Sequence, residues 1–237
     1  MPRRSRCILP DVPCHITQRG VDRCETFSSV QDRLTYLRLL RENLGDAEVS
    51  LLGFCLMTNH VHLVTLPARA DSLAVLLRRV HGRYAQYFNT RAGRTGHLWQ
   101  NRFFACALDS EHLWRALAYV DQNPVRARMV EGAAEYRWSS AAAHLGRPDE
   151  FGVLDLPWWQ RAGQRDGWAQ TLGAHDAETE SQLRRCTYAG RPWGSRGFLE
   201  AMSARLGRSW VIGRPRKVRA DNHRPADEER QLKLVGR

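Results

Sequence analysis

Residues 49–66 read VSLLGFCLMTNHVHLVTL. Two apolar runs, 49–57 and 60–66, lie on either side of a break at Thr58-Asn59, and Pro67 ends the second run. Short apolar runs that are bounded by turn-forming residues are typical of β-strands. The stretch therefore predicts two consecutive strands that pair antiparallel across a short turn.

The segments around this stretch complete a recognisable order of elements. Leucines recur at helical spacing between residues 30 and 44, Gly45 follows as a stop, and Pro124 ends the last helix. The order β-α-β-β-α-β-α predicts an α+β fold of the ferredoxin-like, split βαβ type, with a four-stranded antiparallel sheet, helices on one face and an added final helix. The flanking predictions are strands at 14–18 and 102–108 and helices at 30–44, 72–90 and 111–122.

The chain changes character after about residue 140. Residues 146–180 are rich in Gly, Pro, Trp and acids without a sustained period, so we expect a loosely ordered connector. Residues 184–237 contain 14 Arg or Lys against five Asp or Glu, with one predicted helix at 198–206 and a tail that we expect to be disordered. The predicted organisation is a core domain at 1–140, a connector at 141–183 and a basic, partly disordered C-terminal DNA-binding extension at 184–237.

The overall charge restricts the class of partner. The 237 residues contain 36 Lys or Arg and 25 Asp or Glu, a net charge of +11, which favours nucleic acid or an anionic membrane surface. Only Lys217 and Lys233 are lysines, a bias that a GC-rich genome explains as well as phosphate binding does.

Other classes of protein fit poorly. No apolar run reaches the roughly 18 residues of a membrane span, and the first residues lack the core of a signal peptide. The six cysteines form no C-x-x-C pair, which argues against a zinc ribbon. We therefore expect a cytoplasmic protein with reduced thiols and no membrane partner.

The first candidate for chemistry is the pair His60 and His62. Residues two apart on a strand point to the same face, so both imidazoles can converge on one divalent ion. A plain structural histidine pair in an apolar strand is the competing interpretation.

The second candidate lies on the last predicted helix. Tyr119 and Asn123 are one turn apart beside the buried stripe, which makes Tyr119 a possible phenol nucleophile and Asn123 a source of an amide oxygen for a metal. A half-buried packing tyrosine is the alternative, and Pro124 makes the helical geometry at Asn123 less certain.

The third candidate is the stretch 72–108, which contains no acid. Cations interleaved with aromatic residues are typical of proteins that bind single-stranded nucleic acid. A solvated cationic helix face with the aromatics in the core is the alternative. The stretch contains Arg78, Arg79, Arg83, Arg91, Arg94 and Arg102, with Tyr84, Tyr87, Phe88, Trp99, Phe103 and Phe104.

Five blocks together, covering about residues 2–140, resemble the single-tyrosine HUH transposases, most closely the REP-associated tyrosine transposases (RAYTs). Their order and spacing also agree with that family. The blocks are HITQRG at 15–20, MTNHVHLV at 57–64, YAQYFN at 84–89, GHLWQNRF at 96–103 and YVDQNPVR at 119–126.

The resemblance implies a metal-dependent enzyme that cleaves and rejoins DNA. His60, His62 and Asn123 would bind Mg²⁺ or Mn²⁺, and Tyr119 would attack single-stranded DNA to give a 5′-phosphotyrosine link and a free 3′-OH. The DNA would be a repetitive palindromic element folded as a hairpin. Both a monomer and a homodimer are compatible with the resemblance.

Arginines are the candidates for contacts with DNA phosphates. Gly190-Arg191-Pro192 and Gly213-Arg214-Pro215 also resemble the core of minor-groove-binding AT-hooks, although Gly146-Arg147-Pro148 is a third copy and nonspecific electrostatic anchoring is the competing explanation. The candidate residues are Arg19, Arg23, Arg78, Arg79, Arg83, Arg102, Arg191 and Arg214.

Two other functions remain open from the sequence. A domesticated relative that grips hairpin DNA without cutting it is the main alternative, although such a binder has no need of His60, His62, Tyr119 and Asn123 together. An RNA-binding module is the second, because ferredoxin-like sheets also bind RNA, but the chain lacks an RNP-type aromatic run.

Overall fold

The computed structural model describes residues 6–162, 167–174 and 176–210. Within them a four-stranded antiparallel sheet has the order β2-β3-β1-β4. This order places the first strand of the chain in the interior of the sheet, between the third and the fourth, as the split βαβ arrangement requires. The strands are β1 (Cys14–Arg19), β2 (Val49–Leu56), β3 (His60–Pro67) and β4 (Phe104–Ala107).

The helices confirm the predicted α+β order through the first three. The fourth begins at Asn123, with Pro124 in its first turn, where proline is tolerated. None of the helices in the described ranges has the length and hydropathy to span a bilayer. The helices are α1 (Val30–Leu44), α2 (Ser72–Ala92), α3 (Ser110–Asp121), α4 (Asn123–Arg126), α5 (Ala141–His144), α6 (Leu156–Arg161), α7 (Trp168–Gly173), α8 (Ala177–Ala189) and α9 (Arg196–Leu206).

The last strand is shorter than the predicted 102–108. β4 pairs with β1 only from Cys14 to Thr17. Beyond that point the Arg19 carbonyl, which a longer ladder would have paired with Arg102, accepts from the Gln100 backbone N–H at 2.9 Å. Arg102 therefore lies in the loop before the strand.

The two faces of the sheet carry different layers. Gly53 of β2 pairs with Val64 of β3, on the same face as His60 and His62. A Cβ at Gly53 would come within 2.8 Å of Leu117 Cδ2, so the missing side chain lets α3 lie directly against this face. The residues in between point to the opposite face, beyond which α1 and α2 pack against each other.

The aromatic residues of the acid-free stretch belong largely to the core. Tyr84 and Phe88 are buried, as their place on the apolar stripe of α2 predicts, and Tyr84 donates to the Thr26 carbonyl. Their rings pack together with centroids 6.4 Å apart. Because they are buried, Tyr84 and Phe88 cannot stack on bases. For these two residues the prediction of base stacking is wrong.

His81 on the buried side of α2 gives the fold a predicted sensitivity to acid. Its Nε2 lies 3.0 Å from the Tyr36 hydroxyl of α1, and burial lowers its pKa to about 3. Below the unfolded-state pKa of about 6.5, the His81 imidazole binds a proton in the unfolded chain but stays neutral in the folded chain. The folded state therefore loses stability as the pH falls. We expect His81 to account for about 2 kcal/mol of lost stability between pH 7 and pH 5, at about 1.36 kcal/mol per pH unit.

Urea unfolding of wild type and His81→Phe at the two pH values measures this effect. The variant loses the Tyr36 contact at both pH values, so only the difference between pH 7 and pH 5 counts. That difference should shrink by about 2 kcal/mol in the variant. A difference in His81→Phe equal to that of wild type would contradict the prediction.

Residues 146–180 are not a loose connector in the part that the structure describes. They contain α6, α7 and the start of α8, and Trp159 and Trp168 are buried. Trp168 Nε1 donates to an Asp121 carboxylate oxygen of α3 at 3.1 Å. The expected boundary at residue 183 falls inside α8, which continues to Ala189. Short helices separated by Gly and Pro show no period long enough to read from the sequence.

Candidate active site

His60 and His62 stand side by side on the α3 face of the sheet. They are the first and third residues of β3, opposite Arg19 and Thr17 of β1. Their ring centroids are 4.9 Å apart, and the planes are nearly perpendicular. The structure therefore brings the two imidazoles together as the strand spacing predicts.

Hydrogen bonds and burial leave these imidazoles suited to bind a metal. His60 Nδ1 lies 2.6 Å from Asn59 Oδ1, and an amide oxygen only accepts, so the ring proton is on Nδ1 and Nε2 keeps its lone pair. Burial, with a smaller contribution from Arg19, lowers the pKa of His60 to about 4, and burial together with the neighbouring His60 lowers the pKa of His62 well below its usual value. Both rings are therefore neutral near pH 7.

Tyr119 of α3 lies over the same face of the sheet. Its ring is edge-on to His62, with centroids 5.5 Å apart, and the Arg126 guanidinium carbon is 4.1 Å from its centroid. Burial raises the pKa of Tyr119, and the positive charge of Arg126 opposes that rise. The arrangement places a cation where it stabilises a phenolate.

Asn123 follows Tyr119 by one helical turn, and its side chain has one end without a partner. Its Oδ1 accepts from Arg126 Nη2 at 2.8 Å, whereas its Nδ2 is buried with no hydrogen-bond partner. The unpartnered group is an N–H donor, so an acceptor such as a phosphate oxygen would satisfy it, not a cation. Imidazole nitrogens and an amide oxygen suit a divalent cation, so His60, His62 and the second lone pair of Asn123 Oδ1, whose first accepts from Arg126, fit the metal that the resemblance implies.

These groups line one open cavity of about 1050 Å³, which also receives side chains from α8. Within the described ranges no three His, Cys, Asp or Glu residues are grouped to hold a metal, so a site here depends on the Asn123 amide. The residues that line the cavity include His60, His62, Tyr119, Asn123, Arg19, Arg126, Glu180, Arg184, Thr187 and Tyr188.

Two groups of site residues escaped the sequence analysis. Arg126 stands at the end of the last quoted block, but nothing local shows that it donates to both the Tyr119 carbonyl and Asn123 Oδ1. Glu180 of α8 pairs with Arg126 at 3.3 Å. The residues of α8 at the site lie more than 50 positions after Arg126 in the sequence. No pattern within the helix predicts that they reach the site.

The arginines predicted to contact DNA are spread over the molecule. Arg19 alone among them lines the cavity, and its Nη2 donates to the Tyr188 hydroxyl at 3.2 Å. The others in the described ranges are exposed and stand outside the lining, while Arg214 lies outside the described residues. The exposed ones are Arg23, Arg78, Arg79, Arg83, Arg102 and Arg191, of which Arg79 pairs with Asp46.

The Gly-Arg-Pro copy at 190–192 is not a free extended segment. Gly190 has a φ of 62° and caps the C-terminus of α8, and Pro192 is buried. The AT-hook interpretation is therefore wrong for this copy, although Arg191 itself points to solvent. The copy at 213–215 lies outside the described residues.

Comparisons with known proteins show what this chain is similar to. The family profile of IS200-like transposases matches residues 10–123. A solved structure of a REP-associated tyrosine transposase bound to a REP hairpin is similar at a TM-score of 0.52 and 18% identity, covering 67% of this chain and 91% of that one. This likeness shows the fold.

A second solved structure, a candidate transposase of Deinococcus radiodurans R1, has a TM-score of 0.35 and 15% identity over 54% of this chain and 92% of that chain. No curated protein sequence matches the chain.

Proposed function

We propose that the protein, whose residues 10–123 match the family profile of IS200-like transposases, cleaves and rejoins single-stranded DNA at hairpin, REP-like sequences through a 5′-phosphotyrosine intermediate. One observation carries the proposal: Tyr119, His60, His62 and Asn123 line a single cavity within one chain. A tyrosine nucleophile beside two neutral imidazoles and an amide is the equipment for metal-assisted phosphoryl transfer.

The metal would be held by the imidazoles of His60 and His62 and by the side chain of Asn123. Mg²⁺ or Mn²⁺ bound there supplies positive charge that stabilises the phosphate as it is attacked. The Nδ1 of His60 is fixed by Asn59 at 2.6 Å, which orients the ring with its lone pair away from that bond. The protein thus contributes a preformed set of neutral donors.

Tyr119 would attack the scissile phosphorus through its phenolic oxygen. The new bond joins that oxygen to phosphorus, the bond from phosphorus to the 3′ oxygen breaks, the phenol loses its proton, and the 3′ oxygen leaves as a hydroxyl. Arg126 over the ring stabilises the phenolate that burial disfavours. One phosphate diester replaces another, so the strand can be rejoined by attack of a 3′-OH without a further source of energy.

Two observations support hairpin DNA as the partner: the arginines near the cavity and the ligand of the similar transposase structure. That structure holds a REP hairpin, and we extend the same class of ligand to this chain. Arg19 and Tyr188 meet at the cavity, where a cation and an exposed aromatic ring suit a phosphate and an unpaired base. The exposed arginines of α2 lie on a different layer and would contact a phosphate backbone only away from the reacting bond.

The packing of Tyr119 against the histidines of the site favours cleavage by a monomer with its own tyrosine. The phenol of Tyr119 already contacts His62 of the same chain. A tyrosine supplied by a partner would have to displace it.

A pool of single-stranded oligonucleotides labelled at the 3′ end, the end that stays on the protein in a 5′-phosphotyrosine link, tests the proposed function. Each carries a fixed hairpin and randomised flanking bases, and the control pool has the stem scrambled. With Mn²⁺ we expect a covalent protein–DNA species on a denaturing gel, abolished by EDTA and strongly reduced with the scrambled stem. Hairpin binding without any adduct in Mg²⁺ or Mn²⁺ would contradict the proposal and support the alternative, a hairpin-binding protein that does not cleave. An equal yield from both pools would contradict hairpin selection.

A further inference from the structure

His15, which the proposed chemistry leaves unused, lies against one of the histidines of the site. It is buried on β1, on the same face of the sheet as His62, and the two rings stack with centroids 5.1 Å apart. His15 Nε2 is 2.9 Å from His62 Nδ1, and His15 Nδ1 is 2.8 Å from the Thr187 hydroxyl of α8. A row of hydrogen bonds therefore runs from His62 through His15 to α8.

Two arrangements of protons are compatible with these distances. In the first, His62 donates from Nδ1 to His15, and His15 donates from its own Nδ1 to Thr187, which leaves the lone pair of His62 on Nε2. In the second, every proton moves the other way and His62 carries a proton on Nε2, where it blocks metal binding. The partner of Thr187 decides between them.

The hydroxyl of Thr187 has a second neighbour that takes its proton. It is hydrogen-bonded to the thiol of Cys106, which is also hydrogen-bonded to Cys186 and whose sulfur lies 3.6 Å from the Ala107 carbonyl oxygen, a group that can only accept. With that S–H directed to a carbonyl, the sulfur is left to accept from Thr187. The Thr187 oxygen then accepts from His15 Nδ1, which is the first of the two arrangements.

We propose that His15 is a positioning residue that accepts the Nδ1–H of His62 and so keeps the His62 Nε2 lone pair on the cavity side, with Thr187 fixing His15 in turn. This inference rests on the proposed metal-dependent function. Partners that orient a metal-binding histidine typically contribute 10–100-fold to metal affinity.

The proposal gives α8 a role in the metal site. Thr187 lies 64 residues beyond the end of the family match at residue 123. Glu180 of the same helix pairs with Arg126, which in turn holds Asn123. Thus α8 supports the site at both of its sides.

Variants in matched pairs test the proposal, with free Mn²⁺ followed by electron paramagnetic resonance during titration of the full-length protein. His15→Leu removes the acceptor, whereas His15→Gln offers an amide oxygen near the place of Nε2. Thr187→Val keeps the shape of the side chain without its hydroxyl, and Thr187→Ser restores the hydroxyl. We expect Mn²⁺ affinity to fall about 10–100-fold in His15→Leu and about 10-fold in Thr187→Val. The Gln and Ser variants should stay within about threefold of wild type, since each keeps the hydrogen-bonding atom.

Thermal unfolding without metal and the His60→Ala variant provide the controls. Equal Mn²⁺ affinity in folded His15→Leu, Thr187→Val and wild type, with loss of binding in His60→Ala, would overturn the role of His15 alone. Mn²⁺ binding that His60→Ala leaves intact would overturn the proposed metal site, and the role of His15 with it. If His15→Leu does not fold, the comparison of Thr187→Val with Thr187→Ser decides.

Discussion

Phenylalanine in place of Tyr119 is expected to lower the rate of covalent adduct formation by about 10³-fold or more, because the change removes the attacking oxygen and little else. The ring keeps its edge-on contact with His62 and its place under Arg126. Affinity for hairpin DNA should therefore stay within about threefold of wild type, since affinity for DNA depends mainly on phosphate contacts. Quantified denaturing gels and binding titrations at one salt concentration measure the two quantities.

Mixing variants shows whether the tyrosine acts within its own chain. Tyr119→Phe retains the histidines, and His60→Ala retains the tyrosine, so a shared site would regain activity when the two proteins are combined. We expect no recovery, because Tyr119 and His62 of one chain already lie together. Recovery to a sizeable fraction of wild-type activity would contradict cleavage by a single chain, and an adduct in Tyr119→Phe alone would rule out Tyr119 as the nucleophile.

Removal of Asp121 is expected to have the largest effect on stability. This fully buried carboxylate of α3 accepts from the Ser140 hydroxyl at 2.6 Å, from His144 Nδ1 at 2.7 Å and from Trp168 Nε1 at 3.1 Å. His144 Nε2 lies 2.9 Å from the Leu52 carbonyl oxygen, so its ring bridges Asp121 and β2. The hydrogen bonds of Asp121 and His144 thus join α3, α5, α7 and β2 in the interior.

Asp121→Ala should lower the free energy of unfolding by about 3–5 kcal/mol, because it leaves the buried polar groups of Ser140, His144 and Trp168 without their shared acceptor. Urea denaturation followed by far-ultraviolet circular dichroism measures this loss. As a control, Glu42→Ala breaks an exposed pair with Arg38 and should cost less than about 1 kcal/mol. A loss of under 1 kcal/mol in Asp121→Ala would show that the buried network contributes little.

The sequence alone predicted the strands and helices in which apolar residues follow a clear pattern. Short apolar runs bounded by turn residues predicted β2 and β3. Tyr84 and Phe88 lie inside, as the alternative interpretation of the stretch 72–108 expects. The region from residue 146 onward failed because its buried tryptophans lie in helices of six residues, too short to show a helical period.

The candidate site was predictable only where its geometry is local. Two histidines on one strand face and a tyrosine one turn before an asparagine follow from the 2.0 and 3.6 periods. The bond between His15 and Thr187 joins residues 172 positions apart, and that between Arg126 and Glu180 depends on where α8 docks. Tertiary packing creates these contacts, and no local pattern carries them.

Peptide mapping of the protein–DNA adduct tests the central claim most directly. After reaction with hairpin DNA and Mn²⁺, nuclease and protease digestion should leave a nucleotide linked through its 5′ phosphate to one peptide, and tandem mass spectrometry locates the modified residue. We expect the phosphonucleotide on Tyr119. A phosphonucleotide on any other residue, or bound hairpin DNA with no modified peptide under conditions that give complete binding, would contradict it.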